Sequence, residues 1–263
     1  DVHSSPVLDD LSASAVAHIE QKVPVQDVPR EPEPRVEKRP DTRQWSAQLA
    51  YQRFKRVMDI IISVVALTIF GLLLPIIALA IKLDSRGPVF FSQDRIGMNR
   101  RRRRRGDFSD DDQRKVLQPG RPFRIIKLRT MCEDAEIDGP KWASKDDTRV
   151  TRIGRFLRKT RLDEVPQFLN VLRGEMSLIG PRPERLCFIR KLEKEVPHYR
   201  ERLVVMPGIT GLAQVKLGYD TSTESVRRKV LLDRTYIKKS GVATDCKVIL
   251  STIKVVITGE GAV

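Results

Sequence analysis

Two adjacent carboxylates, Asp163 and Glu164, are the residues of this 263-residue chain best suited to do chemistry. Five basic residues precede them within twelve positions: Arg152, Arg155, Arg158, Lys159 and Arg161. Guanidinium groups beside a helix N-terminus keep a carboxylate ionised and also bind phosphate. An ionised Asp is a competent nucleophile towards phosphorus, and a neighbouring Glu can hold a hard divalent cation. A plainer interpretation also stands, because Asp caps helices and Glu in a first turn suits the helix dipole.

Two turns rich in Gly and Pro follow the acidic pair. Residues 180–183 present Arg182 on a rigid loop that suits phosphate binding, and residues 206–211 lead into a segment that contains Gln214. Either turn could equally be a plain connection between elements.

The elements that carry these residues are mainly helical. A helix is predicted to start at Asp163, because Val165, Phe168, Leu169 and Leu172 follow at i, i+3, i+4 and i+7, and to end at Gly174. Weaker helical patterns cover 184–196 and 225–240, and strand patterns cover 89–93 and 123–128. Residues 244–258 have an apolar stripe, which could pack on a core or lie in a membrane interface.

The longest apolar segment precedes all of these elements. Ile60–Ile81 contains no charged residue over 22 positions, which matches a bilayer better than a buried core helix of about 14 residues. Pro75 removes a backbone hydrogen bond inside this run and bends a helix. Basic residues flank both ends, so the positive-inside rule gives little orientation. A re-entrant helix with both ends on one side and a kinked spanning helix both remain open.

Charge is distributed unevenly along the chain. The formal net charge is +15, but residues 1–50 carry six Lys/Arg against nine Asp/Glu, so the basic surplus lies in the rest. Such a surplus predicts an anionic partner, namely nucleic acid, phospholipid or a phosphorylated substrate. The run Arg100–Arg105 lies in a predicted flexible loop at about 98–120. It is either a solvated charge run or a contact with anionic lipid headgroups.

Two other features are plainer. The proline-rich N-terminal segment is predicted to be disordered. Cys132, Cys187 and Cys246 have no metal-like spacing and are expected to be ordinary packing residues.

Taken together in order, the motifs resemble the bacterial sugar transferase family, the monotopic polyprenol-phosphate hexose-1-phosphate transferases. The matching residues are Lys55-Arg56 with Asp59, Pro75, and the segments 87–97, 123–131, 157–167, 170–177, 179–183 and 207–215. The charged loop at 98–120 departs from this pattern as an insertion between two of the motifs, and the long polar N-terminus is also extra.

The resemblance implies a fold that is mainly α with a small β element. It implies a monotopic membrane protein with a polar tail at 1–46, a re-entrant helix over 50–86 kinked at Pro75, and a catalytic domain over 87–258 with interfacial amphipathic helices. The expected location is the cytoplasmic face of the bacterial inner membrane.

The resemblance also implies an activity. Asp163 would attack the β-phosphate of a UDP-sugar and release UMP, while Glu164 supports Mg²⁺ and Asp163 shares in the metal site. The phospho-sugar would then pass to undecaprenyl phosphate, or another polyprenyl phosphate, as the first step of an exopolysaccharide, capsule or O-antigen. The residues expected to contact the substrate or its phosphates are Arg158, Arg182, Arg129, Lys127, Arg95 and Gln214.

The expected partners are a UDP-sugar, a polyprenyl phosphate and membrane lipids, without nucleic acid. A nucleic-acid-binding protein is the first alternative, but it leaves the apolar run unexplained. A non-catalytic membrane scaffold of the same fold is the second, and the intact acidic pair argues against it. The sugar, the polymer and homo-oligomer formation are left open by the sequence.

Overall fold

The computed structural model describes residues 42–99, 119–137, 139, 147–217 and 223–258. Disorder was predicted for the tail over 1–46; its residues 1–41 lie outside the described residues, as does the headgroup contact predicted for Arg100–Arg105. Residues 42–46 are helical, so the prediction of disorder was wrong for them. The remaining predictions can be compared with the structure directly.

The first element is a 43-residue helix, α1 (Thr42–Asp84), which includes Pro75 without ending there. It begins ahead of the predicted boundary at residue 50, since no proline lies between Pro40 and Pro75 to stop a helix. Its part from Ser46 to Asp84 is long and apolar enough, by length and composition, to cross a membrane. The helix is continuous by hydrogen bonding, so a re-entrant path stays a prediction.

One stripe of α1 is covered by the rest of the chain. Asp59, Ser63, Phe70 and Ile81 are buried along it, at helical spacing. Phe70 and Ile81 pack in a cluster with Leu128 and Leu157, as do Leu74 and Ile77. The other faces leave large apolar side chains exposed: Val57, Ile60, Ile61, Val64, Val65, Ile69, Leu72, Leu73, Ile76, Leu79 and Leu83.

Two small sheets follow. Strands β1 (Phe90–Ile96) and β2 (Pro122–Leu128) pair antiparallel, with Phe90 opposite Leu128 and Ile96 opposite Pro122. The N–H of Gly97 donates to the carbonyl of Arg121 at 2.9 Å, so the predicted insertion joins the paired ends of a hairpin. Strands β3 (Ser177–Ile179) and β4 (Gly208–Thr210) form a separate parallel pair.

Most of the remaining elements are helices. They are α2 (Arg152–Lys159), α3 (Phe168–Leu172), α4 (Leu186–Glu195), α5 (Leu212–Lys216), α6 (Thr223–Lys238) and α7 (Val242–Thr258), with 3₁₀ helices at Leu162–Gln167 and Tyr199–Val204. The prediction of a mainly helical fold with a small β element is therefore confirmed. The helix predicted from Asp163 is present, but its first turns are a 3₁₀ helix that continues into α3.

In helix α7 the buried residues and the exposed apolar residues lie on different faces. Asp245 and Val248 face the core, whereas Leu250, Ile253 and Ile257 are exposed, Ile257 by 79%. Most of the stripe predicted from the sequence therefore faces away from the core, although Ile249 packs against it. The three cysteines are free and exposed, so the expectation that they are packing residues was wrong.

Candidate functional site

A close contact between β2 and α2 places the acidic pair. Thr151 caps α2 by accepting from the N–H of Gly154 at 3.0 Å, and a Cβ on Gly154 would lie only 2.1 Å from the carbonyl oxygen of Thr130. The backbones at residues 130 and 154 can therefore come this close only because residue 154 is glycine. Arg161 then adopts a left-handed conformation at φ 58, which for a non-glycine residue costs about 1 kcal/mol. The turn directs the first residues of the 3₁₀ helix, including both acids, against β2.

Glu164 is held by two cations. Its Oε1 accepts from Lys127 Nζ at 3.0 Å and from Arg182 Nη2 at 2.7 Å, and its side chain is 10% exposed. Burial alone raises the pKa of Glu164, but the charges of Arg182 and Lys127 outweigh burial and hold the pKa well below its ordinary value. Burial lowers the pKa of Lys127 in turn. Glu164 is therefore ionised at neutral pH.

Asp163 has the opposite surroundings. It is 7% exposed, and its Oδ1 is buried with no hydrogen-bond partner in the part of the chain that the structure describes. Burial, and then the negative charge of Glu164, raise the pKa of Asp163 from 3.8 to about 6. The basic residues were expected to keep both acids ionised, and for Asp163 their charges are outweighed. At neutral pH Asp163 is nevertheless mostly ionised, and its Oδ1 has no partner among the described residues, as suits a nucleophile.

Arg182 links the acidic pair to the second glycine-rich turn. Its Nη2 binds Glu164, while its Nη1 donates to Oε1 of Gln214 at 3.0 Å. Nε2 of Gln214 is buried without a partner among the described residues. The structure therefore brings together four of the predicted site residues in one hydrogen-bonded series: Lys127, Glu164, Arg182 and Gln214.

Two other predicted basic residues, Arg158 and Arg95, act on this site through their charges and bind other partners. Arg158 donates from Nε to Thr130 Oγ1 at 3.0 Å, and its charge acts on Asp163. Arg95 binds Gln93, Glu184 and the carbonyl of Pro183, and its charge reaches Lys127.

Arg129 is directed elsewhere. Its guanidinium donates to the carbonyls of Ser85 and Arg86 at the end of α1. The structure does not bring Arg129 into the hydrogen-bonded series around the acidic pair, and its predicted phosphate contact stays a prediction.

A family model described as "Bacterial sugar transferase" matches residues 50–109 and 111–259. The chain belongs to the bacterial sugar transferase family. The match includes α1, both sheets and the acidic pair, so the resemblance carried by the motifs is confirmed. Family membership and the long apolar helix together indicate a membrane-associated protein.

Curated relatives in this family share about two fifths of their residues with the chain. A UDP-N-acetylgalactosamine-undecaprenyl-phosphate N-acetylgalactosaminephosphotransferase of Aeromonas hydrophila is 42% identical over 81% of this chain and 45% of its own length. A UDP-glucose:undecaprenyl-phosphate glucose-1-phosphate transferase of Caulobacter vibrioides is 39% identical over 79% of this chain and 71% of its own length. A transferase of the same description from Klebsiella pneumoniae is 37% identical, over 76% and 39%. The chain thus spans less than half of two of these relatives.

Sequence reasoning missed one residue that positions the site. Asn170 is fully buried, with Oδ1 accepting from the N–H of Ile126 at 3.2 Å and Nδ2 donating to the carbonyl of Arg124 and to Glu175. It joins α3 to β2, the strand that carries Lys127. The available signal was a polar residue inside the apolar run of residues 168–172, since a buried amide needs partners.

The residues also fit a magnesium site in which the substrate supplies some of the ligands. Among the described residues, no group of three His, Cys, Asp or Glu side chains could hold a metal ion by itself. Mg²⁺ is commonly bound by one or two carboxylates together with substrate phosphates and water. The unpartnered Oδ1 of Asp163 suits such a shared site, whereas Oε1 of Glu164 is already occupied by two cations.

Proposed function

We propose that this chain transfers a hexose 1-phosphate from a UDP-sugar to undecaprenyl phosphate, or another polyprenyl phosphate, and releases UMP. The observation that carries the proposal is the difference between the two acids. Asp163 is buried, mostly ionised at neutral pH and unpartnered at Oδ1, beside a Glu164 that two cations hold. The names of the relatives describe transferases that act on undecaprenyl phosphate, two of the three with UDP-glucose.

The chemistry divides into two displacements at one phosphorus atom. A carboxylate oxygen of Asp163 forms a bond to the β-phosphorus of the UDP-sugar, and the bond to the bridging oxygen breaks, so that UMP leaves with the electron pair. The phospho-sugar is then held on Asp163 as an acyl phosphate. A phosphate oxygen of the polyprenyl phosphate next attacks the same phosphorus, which frees Asp163 and yields a polyprenyl diphosphate sugar.

The cations beside the acids would stabilise negative charge in both steps. Negative charge accumulates on the phosphate oxygens and on the departing UMP, and preorganised cations in a site with little water stabilise that charge most. Glu164 fixes Lys127 and Arg182 in place through one carboxylate oxygen. We infer that the main contribution of Glu164 is to orient these two cations. Its predicted contact with a metal stays a prediction.

Magnesium would be held by Asp163 and by the phosphates of the substrate. When bound, the ion supplies charge neutralisation at the phosphoryl oxygens. Arg158, whose charge already acts on Asp163, would contact the phosphates from the side of α2.

The contacts of α1 support a re-entrant path. Near the start of the apolar run, Lys55 binds Asp245 and Asp59 binds the N–H of Leu178. Beyond it, Asp84 accepts from the N–H of Ile153 at 2.9 Å. These three partners all belong to the catalytic domain. A helix that carried its two ends to opposite sides of a bilayer of about 30 Å could not dock both on one domain, so we infer that both ends lie on the same, cytoplasmic side.

Helix α7 is the best candidate for an interfacial helix. Its exposed residues Leu250, Ile253 and Ile257 follow a first turn that is docked on α1, since Asp245 on α7 binds Tyr51 and Lys55. An apolar stripe on a helix that follows a membrane anchor suits burial at the headgroup boundary. We infer that this stripe contacts lipid on the cytoplasmic face of the inner membrane.

The test is a release assay with a panel of UDP-sugars. Detergent-solubilised protein is incubated with undecaprenyl phosphate, Mg²⁺ and each UDP-sugar, and UMP is measured. Asp163→Asn is the matched inactive control, because it keeps the shape and removes the charge. UMP release by the parent with at least one sugar, lowered about 1,000-fold or more by the substitution, supports the proposal. A parent inactive with every sugar would instead favour the non-catalytic scaffold.

A further inference from the structure

One turn of α1, from Arg56 to Asp59, contacts the two segments that carry the Glu164–Arg182 ion pair. Arg56 donates from Nη1 to the carbonyl of Val171 at 2.6 Å and from Nη2 to the carbonyl of Leu172 at 2.9 Å. Three residues later, Asp59 accepts from the N–H of Leu178 at 3.0 Å through Oδ1. Residues three apart on a helix lie on one side, so the two contacts act together.

Arg56 acts on the segment that carries the acids. Val171 and Leu172 are the last residues of α3, and α3 continues directly from the 3₁₀ helix that bears Asp163 and Glu164. The last carbonyls of a helix have no partner within the helix, and a guanidinium is well suited to satisfy them. Arg56 therefore fixes the far end of the short helical segment on which the acidic pair lies.

Asp59 acts on the segment that carries Arg182. Among the described residues, strand β3 pairs only with β4, on one side. On that side the N–H of Ser177 donates to the carbonyl of Pro207, and the N–H of Gly180 donates to the carbonyl of Thr210. The N–H of Leu178 lies between these two and donates instead to Asp59, which is 4% exposed. The carboxylate thus occupies the position of a third strand. Arg182 follows three residues after the end of β3.

We propose that Arg56 and Asp59 are positioning residues, which assemble the Glu164–Arg182 ion pair only when α1 is docked on the catalytic domain. This inference rests on the proposed transfer reaction. The acids and Arg182 come from different segments, and α1 contacts both of these segments. Loss of either contact leaves Arg182 and Glu164 free to separate, although neither Arg56 nor Asp59 touches substrate.

The structure provides a matched control at the other end of the same helix. Asp84 also accepts a backbone N–H of the catalytic domain, from Ile153 at 2.9 Å. It anchors α2 and contacts neither α3 nor β3 among the described residues. Its removal weakens docking of α1 through α2 and removes no contact of α3 or of β3, the two segments that Arg56 and Asp59 hold.

The experiment is a pair of double-mutant cycles on kcat for UMP release. Asp59→Ala and Arg182→Lys are each expected to lower kcat about tenfold, and the double variant should be little worse than either. Asp84→Ala combined with Arg182→Lys should instead give the product of the two single effects. Asp59→Asn keeps an acceptor for the N–H of Leu178 and should restore most of kcat. Should Asp59→Ala fail to insert in the membrane, Arg56→Ala takes its place in the cycle.

The two cycles separate positioning from loss of stability, because a merely destabilising change combines multiplicatively with Arg182→Lys. Multiplicative effects of Arg182→Lys with both Asp59→Ala and Asp84→Ala would overturn the inference. An inactive parent would contradict the proposed reaction itself, which is a different outcome.

Discussion

Two buried carboxylates, Asp163 in the acidic site and Asp245 on α7, differ in what surrounds them although they are almost equally exposed, at 7% and 8%. Asp245 accepts from Tyr51 and Lys55 at Oδ2 and from Tyr236 at Oδ1, all within 2.9 Å. Asp163 has a buried oxygen with no partner among the described residues. Burial of a charge is costly unless donors replace water.

The difference separates a residue that holds the fold together from one that does chemistry. Asp245 docks the start of α1 on the catalytic domain, and its three donors offset the cost of burial. For Asp163 the charges of Lys127, Arg158 and Arg182 offset that cost only in part, which is expected when the partner is a substrate. A carboxylate that lacks donors inside an otherwise well-bonded structure is therefore the stronger functional signal.

After Asp163 itself, the largest effect on activity is expected at its neighbour Glu164. Glu164→Gln removes the charge that holds Lys127 and Arg182, so UMP release should fall about 100-fold. It also leaves two cations without a buried counter-charge, so the free energy of unfolding should fall by about 2 kcal/mol. Kinetics and thermal unfolding in the same detergent measure both. Full activity in Glu164→Gln would show that the cations need no anchoring carboxylate.

The pH dependence of the rate should show the raised pKa of Asp163. Only the ionised form is nucleophilic, so kcat/KM should fall about tenfold for each pH unit below about 6. Because the charge of Glu164 raises the pKa of Asp163, the residual activity of Glu164→Gln should have its acid limb at lower pH. Rates measured from pH 4.5 to 8 in both proteins test this. An unchanged limb in Glu164→Gln would mean that another group titrates.

A smaller effect on activity is expected at Asp245. Asp245→Asn weakens the contacts with Lys55, Tyr51 and Tyr236 and should lower the free energy of unfolding by about 2 kcal/mol. The folded protein should keep activity to within about tenfold, because no atom of Asp245 belongs to the acidic site. Activity lost as completely as in Asp163→Asn would remove the distinction between the two carboxylates.

The smallest effect is a gain in stability. The pKa of Asp163 is higher in the folded protein than its ordinary value of 3.8, so its ionisation costs stability above about pH 6, and the cost disappears below about pH 4. Asp163→Asn should therefore raise the midpoint of thermal unfolding by a few degrees at pH 7.5, an effect of about 2 kcal/mol. The difference should shrink as the pH is lowered from 6 to 4. A lower midpoint at pH 7.5 would contradict the assignment.

Local patterns were enough to predict much of the fold. The apolar run and helix periodicity gave α1 and α7, and alternation gave β2, because these signals depend on neighbours in sequence. The parallel pairing of β3 with β4 was not predictable in this way, since three-residue strands have too little pattern. The start of α1 at Thr42 was missed because residues 42–50 carry no apolar stripe.

The site was predictable in its residues more than in its contacts. Asp163, Glu164 and Arg182 were recognisable from their motifs, yet nothing in the sequence shows that Glu164 accepts from both Lys127 and Arg182. Arg129 belongs to the same motif as Lys127, two residues away, and its side chain reaches the end of α1 instead. Residues two apart on a strand share a face, but this rule does not extend from Lys127 to Arg129 because β2 ends at Leu128.

The most direct test of the central claim is to isolate the phospho-sugar on Asp163. The parent protein is incubated with Mg²⁺ and an active UDP-sugar in the absence of polyprenyl phosphate, quenched, digested and analysed by mass spectrometry. We predict a peptide containing Asp163 that carries the added mass of one hexose phosphate, together with an equivalent amount of UMP, and loss of the adduct when polyprenyl phosphate is supplied. Turnover with polyprenyl phosphate, but no adduct and no UMP without it, would contradict a covalent role for Asp163.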